Sequence, residues 1–145
     1  SEQAAEYDMP EDDKESMPDQ YKTVSLEEFV EYSKSMFAYW TEDDFAASFR
    51  KMLTIEQFRS EEMQGLYQQY LSSGPATYVK DLFESMGIAH AEKNAVRFYA
   101  MMYFYYSVYD GADDKEKVKN EFVSAIGIMA QEWIKQPKLT QIRKS

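Results

Sequence analysis

The amino-acid sequence predicts an all-α domain, a helical bundle of about six helices in which the last two form a dimeric four-helix bundle with their copies. Three observations support this prediction: helix breakers are scarce, apolar residues recur every three or four positions from residue 25 onward, and no alternating run suggests a strand. The 145 residues include 5 Gly and 4 Pro, and 44% of them are hydrophobic. A chain of this length and composition can bury one apolar core.

The first 24 residues differ in composition from the rest and predict an acidic leader or linker, 1–24, ahead of an all-helical domain, 25–145. Eight acidic residues against one lysine give residues 1–20 a charge of −7, out of −10 for the whole chain. Pro10 and Pro18 interrupt this segment, which has few large apolar residues for docking. We therefore expect it to be solvated.

Polar and acidic residues mark the expected starts of the first three helices. Ser25 and Glu28 have the spacing of a capping box, and the first helix is expected to run to about Trp40. Thr41 precedes three acidic residues and predicts the start of the second helix. Ser60, followed by two glutamates, predicts the start of the third helix.

A Ser-Gly-Pro sequence interrupts the next helical stretch. Residues 72–75 read Ser-Ser-Gly-Pro, and proline removes a backbone donor and disfavours helical geometry in the residue before it. Helical periodicity resumes at Tyr78, and Gly87 is suited to end that segment in a left-handed conformation. The third and fourth segments are therefore either two helices or one long kinked helix.

The last two predicted helices have extensive apolar surface. Nearly every position from 96 to 109 is aromatic, methionine or valine, so the fifth helix is expected to be enclosed on nearly every side. Asp113 or Asp114 is expected to cap the last helix, which runs to about Lys135. Pairing with a second copy would cover both helices, and burial inside a single chain is the alternative.

Charge and composition exclude several classes of function. A net charge of −10 repels phosphate, so this chain is not expected to bind nucleic acid directly. The absence of Cys excludes disulfides and thiolate chemistry and fits a reducing compartment, from which we expect a cytoplasmic location. No apolar run is long enough to span a membrane, so no membrane partner is predicted.

The sequence offers little for catalysis. Its single histidine, His90, lies in a predicted loop or helix start, without the several converging ligands that a metal site needs. No nucleophile elbow, Ser-x-x-Lys box or glycine-rich phosphate loop occurs. We therefore predict no catalytic residue, no metal site, no cofactor and no enzymatic activity. An enzyme acting on an aromatic or acyl substrate within the bundle is a rival reading.

Tyrosine, phenylalanine and methionine are the most distinctive part of the composition, with 12, 9 and 9 copies. Such side chains suit an apolar pocket with a few oriented polar groups, although the same stripes also build ordinary cores. The predicted ligand contacts are Trp40, Phe49, Met52, Tyr67, Tyr70, Phe83, Tyr99, Met102, Tyr103 and Tyr106. The predicted dimer contacts on the last two helices are Met101, Phe104, Tyr105, Val108, Phe122, Ile126, Met129 and Trp133.

Several short segments carry a family resemblance. They are residues 48–58 (SFRKMLTIEQF), residues 66–71 (LYQQYL), Gly74-Pro75, Tyr78-Val79 and Leu82-Phe83. These segments, together with the helix order of residues 25–135, resemble the C-terminal domain of tetracycline-repressor-type (TetR family) transcriptional regulators. In that comparison the last two long helices correspond to the dimerising pair of the family.

The resemblance implies that residues 25–145 form an effector-sensing and dimerisation domain with a ligand pocket enclosed by its first five helices. It also implies a DNA-binding helix-turn-helix that would precede residue 1. The partners implied are a second copy of the chain, a small apolar or aromatic effector, and DNA only through that N-terminal domain. The alternative is a purely structural helical dimerisation module without a ligand, which an internal cavity would distinguish from a sensor.

Overall fold

The computed structural model describes residues 24–135, and every element in this part of the chain is a helix. The helices are α1 (Leu26–Glu42), α2 (Asp44–Glu56), α3 (Glu61–Leu71), α4 (Ser73–Ser85), α5 (Ala91–Gly111) and α6 (Lys115–Lys135). The all-α prediction is therefore confirmed. The predicted leader, apart from its last residue, lies outside the described residues.

Side-chain caps begin α1 and α3 where the sequence predicts them. The Ser25 hydroxyl accepts a hydrogen bond from the backbone N–H of Glu28 at 3.0 Å, and the Glu28 carboxylate accepts one from the Ser25 N–H at 3.2 Å. This reciprocal pair is a capping box and confirms the predicted start of α1. At α3 the Ser60 hydroxyl accepts from the N–H of Met63 at 3.1 Å, which satisfies one of the unpaired donors of the first turn.

The start of α2 is two residues later than predicted. Thr41 lies inside α1, where its hydroxyl donates to the carbonyl of Phe37 at 2.6 Å. Asp43 is the residue with extended backbone, and its carboxylate accepts from the N–H of Ala46 at 2.9 Å. The prediction of Thr41 as the cap was wrong because a threonine hydroxyl can bond to the preceding turn inside a helix.

The single residue Ser72 separates α3 from α4, with φ −132° and ψ −105°. Pro75 is the third residue of α4, where a backbone N–H has no partner within the helix, so its missing donor leaves nothing unsatisfied. After α4, Gly87 adopts the predicted left-handed conformation with φ 75°. His90 also has a positive φ, 53°, and is exposed at the start of α5.

An aromatic cluster at the centre of the bundle joins four helices. The Phe29 ring of α1 lies 5.1 Å from the rings of Phe83 (α4) and Phe98 (α5), measured between centroids. Trp133 of α6 contacts the same group, at 4.7 Å from Phe83. α5 contacts α1, α4 and α6, and α1 contacts α2, α5 and α6, so these two helices form the centre of the bundle.

Three residues predicted for the dimer interface belong to this core. Phe122, Ile126 and Trp133 are buried within the chain itself, and the Phe122 ring stacks on Phe37 at 4.2 Å. The apolar face of α6 that the periodicity identified is therefore covered by helices of the same chain. The pattern predicts which face of a helix is buried, but it does not distinguish an intrachain partner from a second copy.

Candidate functional site

A cavity of about 120 Å³ lies between α1, α3, α4 and α5. Fifteen residues line it, and none of them carries a charged side chain. The wall is dominated by aromatic rings and methionine, with a few hydroxyl and amide groups. An apolar wall with few polar groups is the usual composition of a small-molecule site, in which the polar groups fix the orientation of the ligand.

Half of the predicted ligand contacts border this cavity. They are Trp40 on α1, Tyr70 on α3, and Tyr99, Met102 and Tyr106 on α5. The three residues on α5 are spaced by three and four positions, so they lie on one face of the helix. That face of α5 therefore forms one side of the cavity, opposite the solvent-exposed stripe of the same helix.

The other predicted ligand contacts lie behind the wall or away from it. Phe49 stacks on Trp40 at 6.5 Å and meets Tyr70 edge-on at 5.3 Å, so it supports two lining residues from outside. Met52 lies on α2 with 38% of its surface exposed. The remaining three are Phe83, a core residue, and Tyr67 and Tyr103, whose hydroxyls hydrogen-bond to each other.

Apart from Trp40, sequence reasoning missed the contribution of α1, and it also missed that of the α3–α4 junction. The missed residues include Tyr32, Ser33, Met36, Gln69, Pro75 and Tyr78. On α1 the signal was present, because Phe29, Ser33, Met36 and Trp40 recur at helical spacing along one face. Ser33 is the one polar residue in this apolar stripe, and it indicated that the face borders a site with some polar groups.

Two buried hydroxyls of the cavity wall donate their protons to backbone carbonyls. The Ser33 hydroxyl donates to the carbonyl of Phe29 at 2.9 Å. The Tyr99 hydroxyl donates to the carbonyl of Leu71, at the end of α3. The second bond ties α5 to the last turn of α3, where carbonyl groups have no partner within the helix.

Three phenols of α5, two in the cavity wall and one beside it, have raised pKa values. Burial raises the pKa of Tyr99 and of Tyr106 well above the usual value of 10.0. Burial and the hydrogen bond with Tyr67 raise the pKa of Tyr103 to about 12. These side chains are therefore neutral hydrogen-bonding groups and not anions, because a charged phenolate is disfavoured in an apolar environment.

A largely buried ion pair links α2 to the last turn of α5 beside the cavity. The Arg50 guanidinium donates to the two carboxylate oxygens of Asp110 at 2.8 and 2.7 Å, and its Nε donates to the carbonyl of Trp40 at 3.0 Å. The same guanidinium lies 5.0 Å from the ring centroid of Tyr106. The positive charge beside Tyr106 is thereby matched by a carboxylate in bidentate geometry.

The outer side of the α5–α6 hairpin retains exposed apolar side chains. Phe104 of α5 is 60% exposed and Ile128 of α6 is 62% exposed. An exposed ion pair between Arg97 and Glu132, at 3.8 Å, shows that the outer faces of the two helices lie side by side. Phe104 lies two turns from Arg97 and Ile128 one turn from Glu132, so both lie on this side of the hairpin. The other predicted interface residues, Met101, Tyr105, Val108 and Met129, are half-buried.

Within residues 24–135 no group of three or more His, Cys, Asp or Glu side chains is arranged to hold a metal ion. No helix of the described segment has the length and hydropathy needed to cross a bilayer. We compared the chain with protein-family models, with curated proteins and with solved structures. None of the three comparisons finds a match.

Proposed function

We propose that this chain is the effector-binding and dimerisation domain of a TetR-type transcription regulator, and that it binds a small apolar or aromatic ligand. The observation that carries the proposal is the uncharged, aromatic-lined cavity between α1, α3, α4 and α5. A purely structural module would gain stability by filling that space, because voids lose dispersion contacts. An open cavity in an otherwise aromatic core favours the sensor over the scaffold.

The ligand-binding part is tested by filling the cavity. Met36 lines it, and the variant Met36→Trp is expected to weaken binding of indole, used as a probe, by about tenfold or more because the indole ring of the tryptophan occupies the space. Isothermal titration calorimetry measures the affinity. The matched control is Met52→Trp, which adds the same side chain on exposed α2 and should leave the affinity unchanged. Equal loss in both variants would argue against binding in the cavity.

Dimerisation is assigned to the outer side of the α5–α6 hairpin. Two antiparallel helices with exposed Phe104 and Ile128 can pair with their copies about a two-fold axis and form a four-helix bundle. The half-buried Met101 and Val108 would complete the contact from α5. Phe122, Ile126 and Trp133 do not contribute, since the core of each chain already covers them.

Replacing Phe104 with lysine is expected to raise the dimer dissociation constant about 30-fold, because a charge would be placed at the centre of the apolar contact. Sedimentation equilibrium of the full chain measures this constant. The control is Phe58→Lys, which makes the same change at a phenylalanine that is 85% exposed in the turn after α2. A wild-type chain that is monomeric at micromolar concentration would contradict the dimer.

In this proposal the effector shifts the population of two helix arrangements, and the α3–α4 junction is the point of change. Three residues close to the break at Ser72 also line the cavity: Gln69, Gly74 and Pro75. A ligand in the cavity would therefore contact the junction directly. DNA is contacted by a helix-turn-helix outside this sequence, whose spacing in the dimer must match half-sites about 34–36 Å apart. A cytoplasmic location follows from that role.

A further inference from the structure

Two polar groups of the cavity wall, the hydroxyls of Ser33 and Tyr99, have hydrogen-bond partners that limit what they can offer a ligand. A serine or tyrosine hydroxyl has one proton to donate and lone pairs to accept with. The protons of Ser33 and Tyr99 are already used, by the carbonyls of Phe29 and Leu71. Both side chains are buried and both border the cavity. They can therefore offer a ligand only acceptor oxygens.

The charge of the ligand is limited by the same wall. None of the lining residues is ionised, and the phenol of Tyr99 stays protonated because burial raises its pKa. Arg50 lies behind Tyr106, but its guanidinium is held by Asp110 and does not provide a free positive charge. An anionic ligand would lose its hydration without gaining a counter-ion, which strongly disfavours binding. A cationic ligand would gain contact with the aromatic faces, but this attraction of about 2 kcal/mol is smaller than the cost of removing its water.

We infer that the cavity takes a neutral, flat aromatic molecule that carries an N–H or O–H donor, of the indole or phenol class, with the donor directed at the Ser33 and Tyr99 oxygens. This inference rests on the proposed function, since it concerns the same cavity. A volume of about 120 Å³ is comparable with that of an apolar cavity of about 150 Å³ that binds benzene, so it holds one ring. Because the cavity is open to solvent on one side, a second fused ring can extend toward its mouth. The aromatic wall supplies the apolar contact, and the two hydroxyl oxygens favour ligands that carry a donor over those that do not.

The test compares two ligands of the same size that differ only in the donor, together with a third ligand that adds a charged group. Indole has an N–H where benzofuran has an oxygen, and indole-3-carboxylate adds a negative charge. For the full chain we expect indole to bind about 5- to 10-fold more tightly than benzofuran, as one hydrogen bond to a buried acceptor provides. Indole-3-carboxylate is expected to bind more weakly than both. Isothermal titration calorimetry gives the three affinities.

Variants of Ser33 and Tyr99 test whether their hydroxyl oxygens cause the preference for indole over benzofuran. Ser33→Ala and Tyr99→Phe each remove one acceptor and should lower the ratio of indole to benzofuran affinity, and the double variant should bring it to about one. The matched control is Tyr103→Phe, which removes a phenol one turn further along α5 that does not line the cavity. That variant should keep the wild-type ratio. Because each acceptor is removed separately, one variant that fails to fold leaves the other to be measured.

The outcomes separate this inference from the proposed function. If indole and benzofuran bind equally, or if the carboxylate binds best, the donor inference is overturned while ligand binding itself stands. If the ratio is unchanged in both Ser33→Ala and Tyr99→Phe, the two oxygens are not the acceptors and the inference is again overturned. If none of the three molecules binds, both the inference and the proposed sensing function are overturned.

Discussion

Replacing Asp110 with alanine is expected to lower the free energy of unfolding by about 3 kcal/mol, because it leaves a buried guanidinium without a counter-charge. The Arg50 side chain is 5% exposed and the Asp110 side chain 28% exposed. The pair is therefore screened by solvent on the carboxylate side only, which places the expected effect at the lower end of the range for broken buried pairs. Urea denaturation followed by circular dichroism measures the change.

An exposed ion pair provides the control for this measurement. Lys34 and Glu31 on α1 form a pair at 2.8 Å in which the Glu31 side chain is 70% exposed, so Glu31→Ala should change the free energy of unfolding by less than about 1 kcal/mol. The double variant Arg50→Leu/Asp110→Leu should be more stable than Asp110→Ala, because it removes the unpaired charge. If Asp110→Ala were no more damaging than Glu31→Ala, the pair would not be a structural link between α2 and α5.

Neither member of this pair was singled out by the sequence, and the reason is physical. In the sequence Arg50 lies within an amphipathic pattern, and Asp110 begins the polar stretch Asp110-Gly111-Ala112-Asp113, both ordinary places for charged residues. In the structure Asp110 lies in the last turn of α5. Their sequence separation is 60 residues, so the contact depends on how α2 meets the end of α5. Periodicity and capping rules describe interactions within about one helical turn, as the correct starts of α1 and α3 illustrate.

The part of the candidate site that lies on α5 could be predicted from the sequence. Tyr99, Met102 and Tyr106 were expected because tyrosine offers a ring with a hydroxyl and methionine adapts to a ligand, and all three line the cavity, where they share one face of α5. Met52 and Tyr67 were expected on similar grounds, but the first lies on an exposed face and the second turns to Tyr103. Which face of α2 or α3 points inward depends on the angles between helices, and single-helix patterns do not contain that information.

The burial of α5 was also predicted only in part, because the sequence pattern shows how apolar the helix is and not which helices cover it. Its sequence predicted enclosure on nearly every side, and three sides are indeed covered by α1, α4 and α6. The stripe that includes Val96 and Phe104 is exposed in the single chain. The pattern therefore indicated the burial that the helix requires, while the chain provides only part of it, and the proposed dimer would provide the rest.

Replacing Gly74 with alanine is expected to lower the free energy of unfolding by about 3 kcal/mol and to weaken binding of indole. A Cβ atom at this position would lie 2.1 Å from the carbonyl oxygen of Gln69 and 2.9 Å from its carbonyl carbon. Both are backbone atoms of α3, so they cannot rotate away as a flexible side chain would. The start of α4 would have to move away from the last turn of α3, at the cost typical of severe overpacking.

A second glycine gives the matched control, since the same substitution there meets no obstacle. Gly65 is exposed in the middle of α3, and an added Cβ has no neighbour within 4 Å. Gly65→Ala should therefore raise the free energy of unfolding by about 0.5–1 kcal/mol, because alanine has the higher helix propensity. Urea denaturation of both variants measures the contrast, and calorimetry with indole shows whether the junction also shapes the cavity. Were Gly74→Ala as well tolerated as Gly65→Ala, the close approach of α3 and α4 would not constrain the fold, and the proposed switch at this junction would lose its structural basis.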